Sequence, residues 1–236
     1  MNSHIQFPKS LLKKFTDKNN WLHYYDFRDK TIKCGRAKTF NTEAGYYSEI
    51  VEKFFSDKIE THIGNIIKQI EADSFDEKVP IKDFVDHSRD YIYSLISRNP
   101  DMITETRNNS VYLRFMSKID IRSFVASETL VLAHNADLLG SFPLGIGTSE
   151  GSLVLNSRGM IQCNNTLYCP VTPKRALVIP LLKNPEYEDC IPVFDLTAET
   201  ETINAYSFVY EKMFGKRYVI ANSAKQLRSL LDEYDS

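Results

Sequence analysis

The sequence lacks the features of a membrane or secreted protein. None of its apolar runs approaches the roughly 18 residues of a membrane-spanning helix. The first residues lack the basic segment and the apolar segment of a secretory signal. Four cysteines are present, and no pair has the C-x-x-C spacing of redox and zinc motifs. These absences predict a cytoplasmic protein with free thiols and no membrane partner.

Several signatures of catalysis and metal binding are also missing. The sequence contains neither a Gly-x-Ser-x-Gly turn nor a catalytic-cysteine signature. The glycine-rich residues 145–151 lack the Lys-Ser/Thr of a phosphate-binding loop, so turns explain these glycines better. The five histidines show no His-x-x-x-His spacing. Zinc bound by Cys163, Cys169 and a histidine is the alternative to two buried, inert cysteines.

Positive charge is concentrated at the beginning of the chain, although the formal net charge is only −2. Residues 1–38 contain nine Lys or Arg and three Asp, a net charge of +6, which leaves −8 on the other residues. A positive segment on an acidic body attracts anionic partners. The alternative is a solvated helix and hairpin, because a pI of about 6.2 is far below that of strong nucleic-acid binders.

Helical periodicity dominates the first part of the chain. Apolar residues recur at steps of three and four over residues 48–72 and 81–97, and this spacing predicts two helices. A short helix is expected to begin at Pro8, a favoured first helical residue. Further helices are expected around residues 111–118, 120–139, 199–214 and 224–234.

Short strands are expected on both sides of these helices. Residues 21–27 and 31–38 are rich in aromatic and β-branched side chains around a turn, which predicts an N-terminal hairpin. Later strands are expected at residues 152–155, 160–163, 176–182 and 218–221. We therefore predict a single α+β domain of residues 1–236. Its helical first part (residues ~42–139) packs on a small, mostly antiparallel sheet from residues ~140–221 plus the N-terminal hairpin.

Short motifs along nearly the whole chain resemble one known family. The segment His4-Ile-Gln-Phe-Pro-Lys-Ser-Leu-Leu-Lys-Lys-Phe15, followed by Tyr24-Tyr25-Asp26, looks like the opening of domain-of-unknown-function family 4238. The other similar features are Tyr46-Tyr47 before an acidic helix, Arg98-Asn99-Pro100 for the family's Arg-x-Pro, residues 167–177 for its Pro-Leu-Ser-Pro strand turn, and Ile203-Asn204-Ala205 for its Leu-Asn helix start.

The resemblance implies a sporadic bacterial or phage-related protein, linked to defence against mobile elements. It implies no established reaction. The chain departs from the family at Gly147-Thr148-Ser149-Glu150-Gly151, where the family usually has Ser-Asp-x-Pro. If that aspartate is catalytic in other members of the family, Glu150 is an imperfect substitute for it in this chain.

Glu52 interrupts the apolar stripe of the helix predicted over residues 48–72. Since successive helical residues turn by about 100°, Glu52 points close to Ile59 and Ile66, and Glu60 flanks the same stripe. A buried carboxylate must be neutral, paired or metal-bound. One hypothesis is that these carboxylates face a cleft as a general base or as Mg²⁺ ligands. The alternative is a first turn at the surface, where Glu suits the positive helix end.

A second group of polar residues lies in residues 124–139, which are apolar on nearly every side and predict a central helix. Glu128 and Asn135 are seven residues apart and share one face of it. If buried, they need partners, so they either position a substrate or metal or tie the helix to a neighbouring loop. His4, in the first motif of the resemblance, is either an acid or base over a cleft or a hydrogen-bonded anchor.

Two hypotheses for the function follow. In the first, the protein is a phosphodiester hydrolase, a nuclease used as a toxic or anti-phage effector, in which carboxylates hold Mg²⁺ or activate water. Its catalytic residues are Glu52, Glu60, Glu128 and His4. The residues expected to bind nucleic acid are Lys13, Lys14, Trp21, Tyr24, Tyr25, Arg98 and Asn135. In the second, a regulatory module without chemistry holds a small molecule near residues 145–151, or binds a partner protein from the same operon.

Overall fold

The computed structural model describes residues 2–72, 81–109, 116–140, 142–181 and 191–235. Within these ranges the chain forms eight α-helices, two π-helical segments and eleven β-strands. The α-helices are α1 (Lys9–Lys14), α2 (Glu49–Phe54), α3 (Thr61–Glu71), α4 (Ile81–Ser97), α5 (Pro100–Asn109), α6 (Lys118–Asn135), α7 (Thr200–Tyr210) and α8 (Ala224–Tyr234). The strands are β1 (Asn2–His4), β2 (Leu22–Asp26), β3 (Thr31–Gly35), β4 (Thr42–Ala44), β5 (Gly145–Thr148), β6 (Leu155–Asn156), β7 (Ile161–Cys163), β8 (Thr166–Thr172), β9 (Arg175–Pro180), β10 (Val193–Asp195) and β11 (Tyr218–Ala221). This mixture of helices and antiparallel sheets confirms the predicted α+β class.

The long helix predicted over residues 48–72 is present as α2, a π-helical segment at Phe55–Glu60, and α3. Its apolar stripe is buried as expected, and comprises Phe55, Ile59, Ile63, Ile66, Ile67 and Ile70. The π-helix closes its hydrogen bonds one residue later than the α-helix, so the segment changes which side chains share a face. Such segments are frequent at functional sites, and this one ends at Glu60.

Two consecutive helices, α4 and α5, follow α3. α4 has the predicted bounds, whereas α5 was not predicted. Pro100 begins α5, because proline is favoured at the first helical position. Asn99 supports this start, since its Oδ1 accepts a hydrogen bond from the Asp101 N–H at 3.0 Å.

Serine side chains fix the starts of two other helices. Ser117 Oγ accepts a hydrogen bond from the Asp120 N–H at 3.2 Å where α6 begins. The helix predicted at residues 111–118 lies mostly outside the described residues. Ser223 Oγ accepts a hydrogen bond from the Gln226 N–H at 3.3 Å and caps the start of α8.

The strands divide into two main sheets. Four antiparallel strands pair in the order β3-β2-β11-β6, which brings the N-terminal hairpin beside a strand from the end of the chain. Five strands pair in the order β10-β5-β9-β8-β7, and β10 with β5 is the parallel pair among them. β1 pairs with β4. The mostly antiparallel pairing was predicted, whereas β5, β8, β10 and the division into two sheets were not.

The largest cluster of buried apolar side chains draws on both halves of the chain. α1 contributes Leu11 and Leu12, and it packs in this cluster beside residues of the helices and sheets. The other contributors include Ile63, Ile67, Tyr91, Leu95, Val171, Leu177 and Ile220. This shared core accords with one domain, which stays a prediction. No helix in the described ranges is long and apolar enough to cross a membrane.

Candidate functional site

A groove of about 570 Å³ lies between α1 and α3. Its walls are formed by Lys9, Ser10, Lys13, Lys14, Glu60, Thr61, Gly64, Asn65, Ile67 and Lys68. α1 buries Leu11 and Leu12 in the core, which directs Lys9 and Lys13 to its exposed face. An ion pair between Lys14 and Glu71 joins the two helices.

The groove is basic and open. Four lysines and one glutamate line it, which gives the lining a net charge of +3. Lys9, Lys13 and Lys68 are exposed and can reach a ligand. At Gly64 an added Cβ atom would meet no other atom within 4 Å, so the α3 wall leaves free space there. Positive charge beside open space suits an extended anionic ligand.

A buried arginine lies behind the Glu60 wall of the groove. Arg98 follows α4, is only 2% exposed, and donates from Nη1 to Glu60 Oε1 at 2.7 Å. The guanidinium also lies 4.9 Å from the Phe55 ring centroid and 5.8 Å from that of Tyr47. The Glu60 side chain is 28% exposed, so this carboxylate connects the buried charge to the groove.

Carboxylates compensate the buried charge of Arg98. Burial by itself lowers the pKa of the Arg98 guanidinium, but Glu60 and, more weakly, Glu52 favour its charged form, and the net shift of that pKa is upward. Burial is also the main reason that the pKa of the Tyr47 hydroxyl is raised, so Tyr47 stays neutral beside the guanidinium. The two carboxylates that interrupt the apolar stripe therefore act electrostatically on one buried arginine.

The structure brings together part of the predicted catalytic set. Glu52, which is half-buried, and Glu60 share the surroundings of Arg98. The His4 backbone pairs with Thr42 in the β1–β4 ladder, and the His4 side chain lies outside the described residues. Glu128 is exposed on α6.

The expected burial of Glu128 and Asn135 is wrong, because both are exposed. α6 is not a central helix: it buries one side and leaves Phe124, Val131 and Leu132 exposed on the other. Its buried residues are Ile121, Ser123, Val125, Ala126, Leu130 and Ala133. The number of apolar residues around a helix therefore does not show how much of its surface another element covers.

The predicted nucleic-acid residues are divided between surface and core. Lys13 and Lys14 line the groove. Trp21 is partly exposed, and the Arg36 guanidinium lies 3.8 Å from its ring centroid. The Tyr24 ring packs edge-on against Phe40 at 4.8 Å.

Tyr25 and Arg98 are not available to a ligand in this structure. Tyr25 is 3% exposed, and its ring stacks at 6.0 Å on Phe208 in a small core cluster. The reason is that the face of β2 that carries Tyr25 packs against α7 and α8, which contribute Phe208, Leu227 and Leu230 to this cluster. Arg98 is buried and paired with Glu60.

Much of the positive charge on the N-terminal hairpin is neutralised locally. Arg28 and Lys33 pair with the Asp26 carboxylate at 2.7 Å and 3.2 Å. The hydrogen bonds from Arg28 are the main reason that the pKa of Asp26 falls to about 2. Lys33 also pairs with Asp29. The lysines of α1 therefore carry the exposed positive charge more directly than the hairpin does.

Apart from Glu60, the residues on the α3 side of the groove were not predicted from the sequence. Glu60, Gly64 and Lys68 follow one another at steps of four, as do Thr61 and Asn65. This spacing places each set on one side of a helix, away from the apolar stripe. The polar residues beside the apolar stripe of the helix predicted over residues 48–72 are the sequence signal that indicates this wall of the groove.

The structure gives no support to the zinc alternative. Cys163 and Cys169 are buried free cysteines, and burial raises the pKa of both thiols. Among the residues described, no group of three or more His, Cys, Asp or Glu side chains is placed to hold a metal ion.

The glycines predicted to hold a ligand have two different roles. Gly145 and Gly147 are buried in β5, where an added Cβ would collide with Phe194 or Leu196. They therefore let β5 and the β10 region approach closely. Gly151 instead lies in the wall of a second cleft, between α7 and α8.

Comparison with known proteins identifies no relative: no protein-family model, curated protein or solved structure matches the chain. The resemblance to domain-of-unknown-function family 4238 stays a prediction.

Proposed function

We propose that the groove between α1 and α3 binds the phosphodiester backbone of nucleic acid, and that Glu60 serves there in phosphodiester hydrolysis. The observation that carries this proposal is the set of four lysines around an open groove whose one carboxylate is Glu60. Lysine contacts to phosphates supply most of the affinity of sequence-independent nucleic-acid binding. The spacing of Lys9 and Lys13 by about 6 Å along α1 suits contact with an extended backbone.

The position of Glu60 supports the hydrolytic part of this proposal. Its Oε1 is fixed by Arg98 at 2.7 Å, which orients the carboxylate. In this position Glu60 would take a proton from an attacking water. The alternative role is that of a metal ligand: Mg²⁺ is often bound by only one or two carboxylates together with substrate phosphates, so Glu60 would supply a protein ligand and the phosphates of the nucleic acid further ligands. A toxic or anti-phage role is proposed on the resemblance alone.

The binding half is tested by fluorescence anisotropy with labelled single-stranded RNA, single-stranded DNA and duplex DNA over a series of salt concentrations. We expect Lys13→Gln and Lys68→Gln each to weaken binding and to reduce the slope of log K against log salt by about 1. Lys18→Gln is the matched control, because Lys18 is exposed in the same basic segment and does not line the groove. Gly64→Phe should obstruct the groove, since an added Cβ atom there points into open space, and circular dichroism checks that this variant is folded. Equal affinity for all variants, or no binding by the wild type, overturns the proposal.

The hydrolytic half is tested by incubating RNA and DNA with the pure protein, with and without Mg²⁺ or Mn²⁺. Glu60→Gln should abolish cleavage, whereas Glu128→Gln should cleave like the wild type because Glu128 lies on α6 and does not line the groove. Circular dichroism and thermal unfolding establish that Glu60→Gln is folded at the assay temperature. Binding without cleavage by the wild type rules out the hydrolase and favours the non-catalytic module.

A further inference from the structure

A second cleft, of about 680 Å³, lies between α7, α8 and the turn that precedes β6. Hydroxyl and amide side chains dominate its lining, among them Ser152, Thr197, Asn204, Asn222, Gln226 and Ser229. Its charged residues are Glu201, Lys225 and Glu233, a net charge of −1. The lining is therefore polar without the positive excess that an anion requires.

Two amide side chains hold the floor of this cleft in place. Asn204 is 6% exposed; its Oδ1 accepts from the Val154 N–H at 2.9 Å and its Nδ2 donates to the Ser152 carbonyl at 2.8 Å. Gln226 Nε2 donates to the same carbonyl oxygen. Side chains of α7 and α8 thus both bond to one turn, which fixes the backbone of this floor.

Two polar atoms of this floor are left without partners. Ser152 Oγ and Gln226 Oε1 are buried, and within the described ranges neither has a hydrogen-bond partner. Because the NH₂ group of Gln226 faces a carbonyl, its Oε1 is oriented as an acceptor. An unsatisfied buried polar atom costs roughly 1–3 kcal/mol. Both residues line the cleft, but these two atoms are closed to solvent. A small rotation of the two side chains would let a ligand donate to Gln226 and bond to the Ser152 hydroxyl, which would recover that cost.

We propose that this cleft binds a neutral, polyhydroxylated small molecule, namely the sugar ring of a free saccharide or of a nucleoside. Adjacent hydroxyl groups of a sugar supply the donors and acceptors that the two unpaired atoms need. The Tyr234 ring also lines the cleft and offers an apolar face with a polar tip. This proposal is independent of nucleic-acid binding, because the two sites share no residue.

The test is saturation-transfer NMR and calorimetry on the full chain with D-glucose, D-ribose, adenosine and inorganic phosphate at millimolar concentration. We expect saturable binding of a sugar or of adenosine, and no competition from phosphate. Binding of adenosine without the free sugars identifies a nucleoside site, and the reverse identifies a saccharide site. Failure of all three hydroxylated probes, or tighter binding of phosphate, overturns the proposal.

Matched variants inside and outside the cleft test whether the ligand binds there. Ser152→Ala and Gln226→Leu should each weaken binding by about fivefold, the equivalent of one net hydrogen bond. Ser56→Ala and Gln162→Leu make the same changes at exposed positions outside the cleft and should have no effect. Ser152→Ala removes only one hydroxyl oxygen, so it remains informative if Gln226→Leu unfolds. Unchanged affinity in a folded Ser152→Ala protein contradicts the assignment.

Discussion

The pairing of Glu60 with Arg98 makes Glu60→Gln the most informative single substitution. In the wild type, the buried guanidinium is held by the Glu60 carboxylate at 2.7 Å, and Glu52 adds a weaker attraction. Glutamine keeps the shape of the side chain but removes its charge. Arg98 cannot lose its proton, and it cannot reach water without opening the contact between α4 and the π-helical segment.

The expected loss of stability follows from two opposing effects. Two charges about 4 Å apart attract by about 4 kcal/mol at an effective dielectric constant of 20. Desolvation of Arg98 offsets much of this attraction in the intact pair. Removal of one partner leaves the desolvation cost uncompensated, which typically destabilises a protein by about 3–5 kcal/mol. Because Glu52 remains nearby, we expect about 3 kcal/mol for Glu60→Gln.

Urea unfolding measures this loss through the fluorescence of the single tryptophan, Trp21, and through circular dichroism. Glu128→Gln makes the same chemical change at an exposed site and should cost less than about 0.5 kcal/mol. The double variant Glu60→Gln, Arg98→Met should recover much of the stability, because it removes the isolated charge.

Two results would refute this reasoning, and the single variant Arg98→Met completes the double-mutant cycle. If Glu60→Gln costs no more than Glu128→Gln, Arg98 does not depend on Glu60. If the double variant is less stable than Glu60→Gln alone, the cost arises from packing of the arginine side chain. Either result contradicts the electrostatic account of Arg98.

Three further predictions concern single residues. Gly64→Ala should raise the free energy of unfolding by up to about 1 kcal/mol, because alanine is the better helix former and its methyl group meets open space; a lower urea midpoint contradicts this. Asp26, whose pKa is lowered to about 2 chiefly by Arg28, stabilises the fold above its unfolded pKa, and that contribution is lost as the pH falls from about 4 to 2. Asp26→Asn should therefore cost about 1–2 kcal/mol at pH 7, with allowance for the exposed Arg28, and should lack this acid-dependent loss in urea titrations. Gly159→Ala should cost about 2 kcal/mol or more in the same assay, because φ is +75° and the new Cβ would lie 2.7 Å from Phe7.

Local sequence signals predicted the helices better than the sheets. The bounds of α4, β11 and α8 follow directly from periodicity, turn residues and a serine cap. β5 was missed because its glycines resemble a turn, and only the neighbouring Phe194 and Leu196 explain why Cβ atoms are excluded there. The pairing of β2 with β11 connects residues almost 200 positions apart, which no local pattern reveals.

The candidate site was predicted in part for the same reason. Lys13, Lys14 and Glu60 were named from the sequence and line one groove, because each lies on a helix whose buried face was predicted correctly. The burial of Tyr25 was not predicted because it depends on Phe208, a residue from a distant helix. The exposure of Glu128 was not predicted because the exposed side of α6 also carries apolar residues.

Arg98 changes what the acidic residues in the apolar stripe imply about function. The catalytic hypothesis assumes that Glu52 and Glu60 would be too costly to bury unless they serve a function. The structure supplies a structural purpose, since both carboxylates act on a buried guanidinium. That electrostatic role accounts for Glu52 without chemistry, whereas Glu60 also lines the basic groove. The case for a ligand therefore rests on the lysines of α1 and α3, and the case for hydrolysis rests on Glu60 alone. For this reason the lysine variants and the Glu60 variant test separate halves of the proposed function.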